Sequence, residues 1–246
     1  MPQLSVIIPV LNESENIPLL ANRLLLPVDG LEFIFVDDGS TDGSREIIEK
    51  LEIKDDRITG IFNARRMGHM GSYLIGIEHA SSENIAIMDG DLQHPPEKLT
   101  SISEMLVNGY DIVICSRYKG KKFIGDRDKI RGIISRGAEL LLKVMVKECR
   151  GISDPISGFI GFKKSLEIPV TQNMRGNKLL PFLIIANRDA KIGYVHYNFS
   201  ERTAGTSKIV STGNNFVLKY ISEVSEIRKV KKRLLNKIRI DPSNEH

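Results

Sequence analysis

The chain has 246 residues, of which 41% are hydrophobic, with a net charge of +4 and two cysteines. That length and apolar content support a real core, as one large α/β domain or a domain with an appendage, and exclude a disordered chain. Cys115 and Cys149 lie in or beside apolar runs without C-x-x-C spacing, so buried thiols are expected and a disulfide framework or zinc site is not. No stretch approaches ~18 consecutive apolar residues and the N-terminus lacks the flanks of a signal peptide, so no membrane span is expected. Residues 1–60 carry 12 acidic against 5 basic side chains, whereas 117–136 hold 8 basic and 2 acidic, and 216–246 hold 8 and 4. Both basic stretches suit phosphates or an anionic surface. Nucleic acid is not the expected partner, because zinc-finger and RNP-type signatures are absent and aromatics do not interleave with the basic residues.

The first 115 residues alternate strand and helix signals. Strands are expected at 4–10, 32–37, 58–63, 85–88 and 111–116, and helices at 16–26, 44–51, 70–80 and 97–107. Short connections and strands rich in Val and Ile predict a mainly parallel sheet with helices on both faces. Beyond residue 116 the regularity lapses. Residues 129–146 read as a helix with a broad apolar face, 154–162 as a turn followed by a strand, 194–199 as a strand, and 215–238 as a long basic amphipathic helix.

Chemistry-bearing residues fall where strands end, which is where open α/β sheets bind ligands. The first strand runs into Pro9-Val-Leu-Asn-Glu13, whose carboxylate can accept hydrogen bonds from a ribose or base. The second ends in Val36-Asp-Asp-Gly-Ser-Thr-Asp42, where Asp37 and Asp38 can accept base N–H groups and Gly39 and Gly43 allow a tight turn. The bland alternative for each acid is a helix cap or turn. The Gly-rich segment 65–72 lacks both Walker and dinucleotide fingerprints and reads as a helix entry at which Arg65 could meet a diphosphate. Residues 88–97, Met-Asp-Gly-Asp-Leu-Gln-His-Pro-Pro-Glu, follow the fourth strand. Carboxylates at i and i+2 on extended chain, Asp89 and Asp91, point the same way and suit a hard divalent cation that also holds phosphates. Here too the alternative is an acidic turn before a helix opened by Pro95 and Pro96. His69, His79 and His196 are scattered away from metal spacing and read as structural.

These segments together resemble family 2 inverting glycosyltransferases of the GT-A fold. More narrowly, Asp91-Leu-Gln-His-Pro-Pro-Glu97, Ser116-Arg-Tyr118, Arg131-x-x-x-Ser135-Arg-Gly-Ala138, Asp154-x-x-Ser-Gly-Phe159 and Arg202-x-x-Gly-x-Ser-Lys208 resemble dolichol-phosphate mannosyltransferases and their polyprenyl-phosphate relatives, in order over roughly residues 4–210. The resemblance implies a GT-A catalytic domain over 1–210 and a basic amphipathic helix and tail over 211–246. It implies that Pro9, Glu13, Val36 and Asp38 hold the nucleoside, and Asp89, Gly90 and Asp91 the ribose and diphosphate. Asp91 and Gln93, with Asp89 nearby, would ligate Mg²⁺ or Mn²⁺. Arg117, Arg131, Ser135, Arg202 and Lys208 would gather donor diphosphate and acceptor phosphate; Asp91, Arg117, Arg131 and Ser135 would act in the reaction itself.

The implied reaction moves a hexose, mannose before glucose, from a nucleotide sugar, GDP-mannose before a UDP-hexose, to a polyprenyl or dolichyl phosphate. It would run at the cytosolic face of a membrane, with the protein peripheral on the lipid surface or held there by a membrane-anchoring partner subunit. The alternatives are a glucosyl or N-acetylglucosaminyl transferase using a UDP-sugar, and a catalytically silent protein that binds nucleotide sugars. If the acceptor were a hydroxyl, Asp154 would be the candidate base. Leu11 stands where an aromatic is frequent and Gly90 where the mannosyltransferases commonly have alanine.

Overall fold

Strand β1 (Leu4–Val10) is buried along its whole length and β2 (Leu31–Asp37) along nearly all of it, as strands covered on both faces must be. The computed structural model describes residues 2–24, 30–119, 122–123, 129–169, 178–198 and 215–240, with the backbone alone at 119, 122–123, 129–134, 215–219 and 235–240. The remaining strands of the main sheet are β3 (Ile58–Phe62), β4 (Asn84–Ile87), β5 (Ile112–Ser116), β8 (Ile160–Lys163) and β9 (Ile192–His196), and a separate hairpin pairs β6 (Tyr118–Lys119) with β7 (Lys122–Phe123). The seven strands lie in the order β3-β2-β1-β4-β8-β5-β9. All neighbours are parallel except β8, which runs antiparallel to both β4 and β5.

Alternation along the strands sends side chains into two cores. Ile7, Ile34, Val36, Ile85, Ile87, Ile112 and Ile114 face one side; Val6, Ile8, Phe33, Phe35, Ala86, Val113 and Cys115 face the other. The first side is covered by α3 (Gly68–His79), α5 (Lys129–Met145), α6 (Leu179–Ala186) and α7 (Asn215–Ile240). The second is covered by α1 (Asn16–Leu24), α2 (Ser44–Lys54) and α4 (Leu99–Val107). Helices thus flank a mainly parallel sheet on both faces, and both cysteines are buried and free.

Boundaries differ from the expected ones where local rules gave little warning. A short 3₁₀ turn (Pro96–Lys98), with Pro96 in its first position, precedes α4, and the strand expected at 194–199 is β9, starting two residues earlier. Helix α6 was not anticipated: Leu-Leu-Pro-Phe-Leu-Ile-Ile-Ala is apolar all round, so it carries no 3.6-residue contrast for a periodicity argument to read. Helix α7 presents Tyr220, Val224, Ile227 and Val230 to the core, and the Tyr220 hydroxyl donates to Ala138 O of α5 at 2.8 Å. Lys231 reaches Glu148 at 2.9 Å, while Arg228, Lys229, Lys232 and Arg233 face outward. Among the described residues no helix is long and apolar enough to cross a membrane.

Helix α3 approaches the sheet closely through Gly76, where an added Cβ would lie 2.5 Å from Ile7 Cγ2 and 3.3 Å from Val36 Cγ2. Gly76→Ala must therefore push α3 off β1. Overpacking of this kind costs about 1–3 kcal/mol, and equilibrium urea unfolding is expected to show that loss with an unchanged slope.

Candidate active site

Four parallel strands, β3-β2-β1-β4, meet at a point where the chain order reverses, between β1 and β4. Such switch points open a crevice beyond the strand ends. The β1–β4 ladder closes at Ile7–Ile87, with Met88 N donating to Ile7 O at 3.1 Å. The next residue of β1 facing that way is Pro9, which has no N–H to give, so β4 parts from β1 there and enters the Asp89–Asp91 loop. Gly90 sits against this gap: an added Cβ would lie 3.6 Å from Ile8 Cγ2 and 3.7 Å from Pro9 O, ordinary contact distances at which an alanine also fits.

The loops after β1 and β2 are stitched to each other by side chain to main chain bonds. Asn12 N donates to Ser40 Oγ (2.9 Å) and Thr41 N to Asn12 Oδ1 (2.9 Å); Glu13 N donates to Ser44 Oγ (3.0 Å) and Ser14 N to Asp42 Oδ2 (2.9 Å). Asn12, Gly39 and Gly43 all take positive φ, which asparagine tolerates and glycine adopts freely. Asp37 accepts from the Ser40 amide and hydroxyl, closing the turn. Asp42 also accepts from Ser44 N and Oγ. Burial works against its charge, but the bonds from Ser44 and Ser14 prevail and hold its carboxyl at about 2, below the ordinary 3.8. Glu13 is half-buried and accepts from Asn16 Nδ2 at 2.6 Å. Much of the acid, serine and threonine content of these segments thus builds the rim of the crevice.

Asp38 is buried, and its carboxylate gathers the chain that follows β3. It accepts from Met67 N (2.6 Å), Gly68 N (2.8 Å) and Asn63 Nδ2 (3.1 Å), fixing the start of α3. Those bonds occupy three of a carboxylate's roughly four acceptor sites, so a nucleoside would meet the remainder. Val36 pairs in register with Pro9, and its side chain lies in the core beneath α3. Arg65 lies exposed in the loop that Asp38 holds.

Beyond β4, Asp89 is partly open and Asp91 is buried. Leu92 takes φ 63°, a conformation that turns the chain back so that Gln93 N donates to Asp91 Oδ1 at 3.2 Å. His94, not singled out among the histidines above, organises this loop. Its Nδ1 accepts the Asp89 N–H (3.0 Å), leaving the ring proton on Nε2, 3.8 Å from Asp89 Oδ2. The ring stacks on Phe159 (4.9 Å, 14°) and meets Tyr197 edge-on (6.2 Å). The available signal was its place inside the decapeptide. Gly158, in the loop before β8, faces Asp89 Oδ2 and His94 Cε1, where any side chain would enter the site. Glu97 closes the segment with a two-pronged salt bridge to Arg23 of α1.

On the far side of β4 and β8, Arg117 follows β5 and is locked to Asp154. Arg117 Nε donates to Asp154 Oδ2 (2.8 Å), Nη2 to Oδ1 (2.6 Å), and the Arg117 backbone N–H to Oδ2 (3.1 Å). The Asp154 side chain is wholly buried and its residue sits at φ 52°. Burial disfavours the Arg117 charge, yet the bonds and charge of Asp154 raise its pKa above the ordinary value, so the guanidinium is permanent. Ser157 donates to Cys115 O (2.8 Å), and Ser116 Oγ lies 3.1 Å from Ser153 Oγ, so the two motifs 116–118 and 154–159 are one interlocked unit. Ser135 is half-buried on α5, with Arg131 one turn before it on that helix. The Arg131 side chain, Arg202 and Lys208 lie outside the described residues.

The crevice therefore has carboxylates at its centre and a fixed cation, paired with Asp154, on the β5 side. The model of glycosyl transferase family 2 matches residues 5–168, and the chain belongs to that family. The dolichol-phosphate mannosyltransferase of Pyrococcus furiosus is 35% identical over 210 residues, covering 84% of this chain and 59% of its own length; this chain is thus well short of that relative. The dolichol-phosphate mannosyltransferase of Saccharomyces cerevisiae is 32% identical over 91% of this chain and 86% of its own length. Glucosyl-3-phosphoglycerate synthase from Mycobacterium tuberculosis, in complex with Mn²⁺ and UDP-glucose, shares the GT-A fold with a TM-score of 0.68 at 19% identity, over 92% of this chain and 79% of its own.

Two expectations follow. Replacing Arg117 with methionine leaves the Asp154 carboxylate buried without its counter-charge, which costs about 3–5 kcal/mol; chemical denaturation is expected to show this, and Arg117→Lys to recover only part, because an ammonium cannot reproduce the fork. Asp42, whose folded pKa is depressed, stabilises the rim at pH values above 3.8 and loses that contribution as pH falls toward 2. Asp42→Asn is therefore expected to lower the thermal midpoint at neutral pH, with the gap from the parent narrowing as pH drops through that window.

Proposed function

We propose that the chain transfers a hexose, mannose first and glucose second, from a nucleotide diphosphate sugar to a polyprenyl or dolichyl phosphate. The observation that carries this is the state of Asp154. The carboxylate named as base for a hydroxyl acceptor is fully buried, with both oxygens accepting from Arg117. It is poorly placed to take a proton from an incoming group. A lipid monophosphate needs no base, because its second ionisation near pH ~6 leaves it largely dianionic at neutral pH. The names of the P. furiosus and S. cerevisiae relatives point to the same acceptor class.

Asp89, Asp91 and the Gln93 amide offer hard oxygen donors, which fit Mg²⁺ or Mn²⁺. Among the described residues no three His, Cys, Asp or Glu side chains form a cluster able to hold a cation alone, so phosphate oxygens of the donor would complete the coordination. Such a cation supplies charge neutralisation to the departing nucleoside diphosphate. The chain's own groups do the remaining work. The stitched β1 and β2 loops, with Glu13 and Asp38, bind the nucleoside; His94 orients Asp89; Arg117, held by Asp154, draws the acceptor phosphate toward the anomeric carbon, with Arg131, Ser135, Arg202 and Lys208 as its companions. The phosphate oxygen attacks opposite the leaving diphosphate and inverts the anomeric centre. In this reading the lipid is met at the cytosolic membrane surface, where outward basic residues of α7 face anionic lipid and a membrane-anchoring partner subunit can hold the protein.

The test is incubation of purified protein and Mn²⁺ or Mg²⁺ with radiolabelled GDP-mannose, UDP-glucose or UDP-N-acetylglucosamine and a polyprenyl phosphate. Labelled lipid is expected from GDP-mannose above the others, and its loss in Asp91→Ala. No labelled lipid from any donor would overturn the proposal.

A further inference from the structure

We infer that Lys178 is a ligand of the acceptor phosphate, completing with Arg117 an anion site at the start of α6; this rests on the lipid-phosphate acceptor proposed above. No motif marks Lys178, and the mechanism so far leaves it unused. Its Nζ donates to Ile156 O at 3.1 Å, so the ammonium abuts the loop whose Asp154 grips Arg117. Asp89, Asp154 and Glu223 are its attractive electrostatic neighbours and Arg117 its repulsive one. It is therefore within the electrostatic reach of both the Asp89 carboxylate after β4 and the Arg117 cation after β5.

Three features there favour a negative ligand. Arg117 and the half-buried Lys178 are like charges that repel one another, and the fork of Arg117 is already engaged by Asp154. Burial first and Arg117 second push the Lys178 ammonium below its ordinary pKa, a penalty that an anion beside it would remove. Lys178 is also the residue that opens α6, so its charge lies at the positive end of a helix, where an anion is stabilised and a cation is not.

An independent observation comes from Tyr197, the residue that follows β9. Tyr197 is buried, packs against Phe159 and His94, and its hydroxyl finds no hydrogen-bond partner among the described residues. That phenol lies in the field of Arg117, Asp154 and Asp89. A buried hydroxyl without a partner is costly, and a bound phosphate oxygen is an acceptor that would satisfy it. The position along the sheet selects the acceptor over the donor. Nucleoside-side loops follow β1 and β2, the carboxylates follow β4, and Arg117 follows β5, with Asp154 and the Ile156 carbonyl that Lys178 meets in the loop before β8.

The experiment compares the parent with Lys178→Met and Lys178→Arg in the full chain. Steady-state transfer is read against donor and polyprenyl phosphate concentrations separately, and direct binding of polyprenyl phosphate in detergent and of nucleoside diphosphate with Mn²⁺ is measured by calorimetry. Lys178→Met is expected to raise the KM and Kd for polyprenyl phosphate by about 10-fold or more, the worth of a charge-assisted bond, with nucleotide affinity within about twofold and Lys178→Arg restoring part of the loss. Equal weakening of both ligands, or unchanged lipid-phosphate binding in a folded Lys178→Met, would overturn the assignment. If the parent binds polyprenyl phosphate through Lys178 yet transfers no sugar, the proposed reaction fails while the ligand assignment stands.

Discussion

Strand β1 is paired with β2 over seven residues and with β4 over only three, and Pro9 ends the shorter ladder because it has no N–H to extend it. Everything functional in the crevice depends on that early parting. It releases the chain after Met88 to turn at Leu92 and set Asp89, Asp91 and Gln93 beyond the sheet's edge. It also places those carboxylates where chain order reverses, the place in an open α/β sheet where helices leave a gap. The antiparallel β8, inserted between β4 and β5, then spaces the Arg117–Asp154 pair away from the carboxylates, so that centres of opposite charge occupy different parts of the crevice.

Around that gap, residues of one chemical type divide between two tasks. Asp42 and Asp37 shape the loops, Asp38 starts α3, and Asp154 immobilises an arginine; Asp89, partly open, and Asp91, buried, are the pair proposed to meet the ligand. The difference is set by the donors each carboxylate meets. A loop rich in backbone N–H groups and serine hydroxyls engages the first set, whereas in the tight 88–94 turn the Gln93 N–H donates to Asp91 and His94 Nε2 lies 3.8 Å from Asp89 Oδ2. The rim is rigid for the same reason: four cross-loop bonds tie residues 12–14 to 40–44, so the surfaces proposed to bind the nucleoside are formed before any ligand arrives.

Much of this was legible in the chain itself. The five strands and four helices of residues 4–116 follow from period and length, because the strands are short, largely apolar runs and helices alternate with them over short connections. Strand-end acids at Glu13, Asp38, Asp89 and Asp91 were readable as a convergent set, since parallel strands bring their C-terminal ends to one edge. What was not legible lay where local contrast vanishes. Helix α6, apolar on every side, has no stripe, and with it Lys178 went unmarked. The partnership of Arg117 with Asp154 joins residues 37 apart that follow different elements, and neither has a spacing rule linking it to the other. His94 lay within the decisive segment, but only its ring geometry against Phe159 and Asp89 gives it a task.

Sequence alone determined the layered α/β architecture, the sheet edge that gathers the strand-end acids and the family, because hydrophobic period, short connections and motif order are local properties that survive without coordinates. Tertiary structure decided which partners engage the polar groups. It buried Asp154 against Arg117, gave Asp38 and Asp42 structural bonds, and set Lys178 against the Ile156 carbonyl. That division has a physical cause: a side chain's chemistry is written in its residue type, but its protonation, partners and availability depend on neighbours brought close only by the fold.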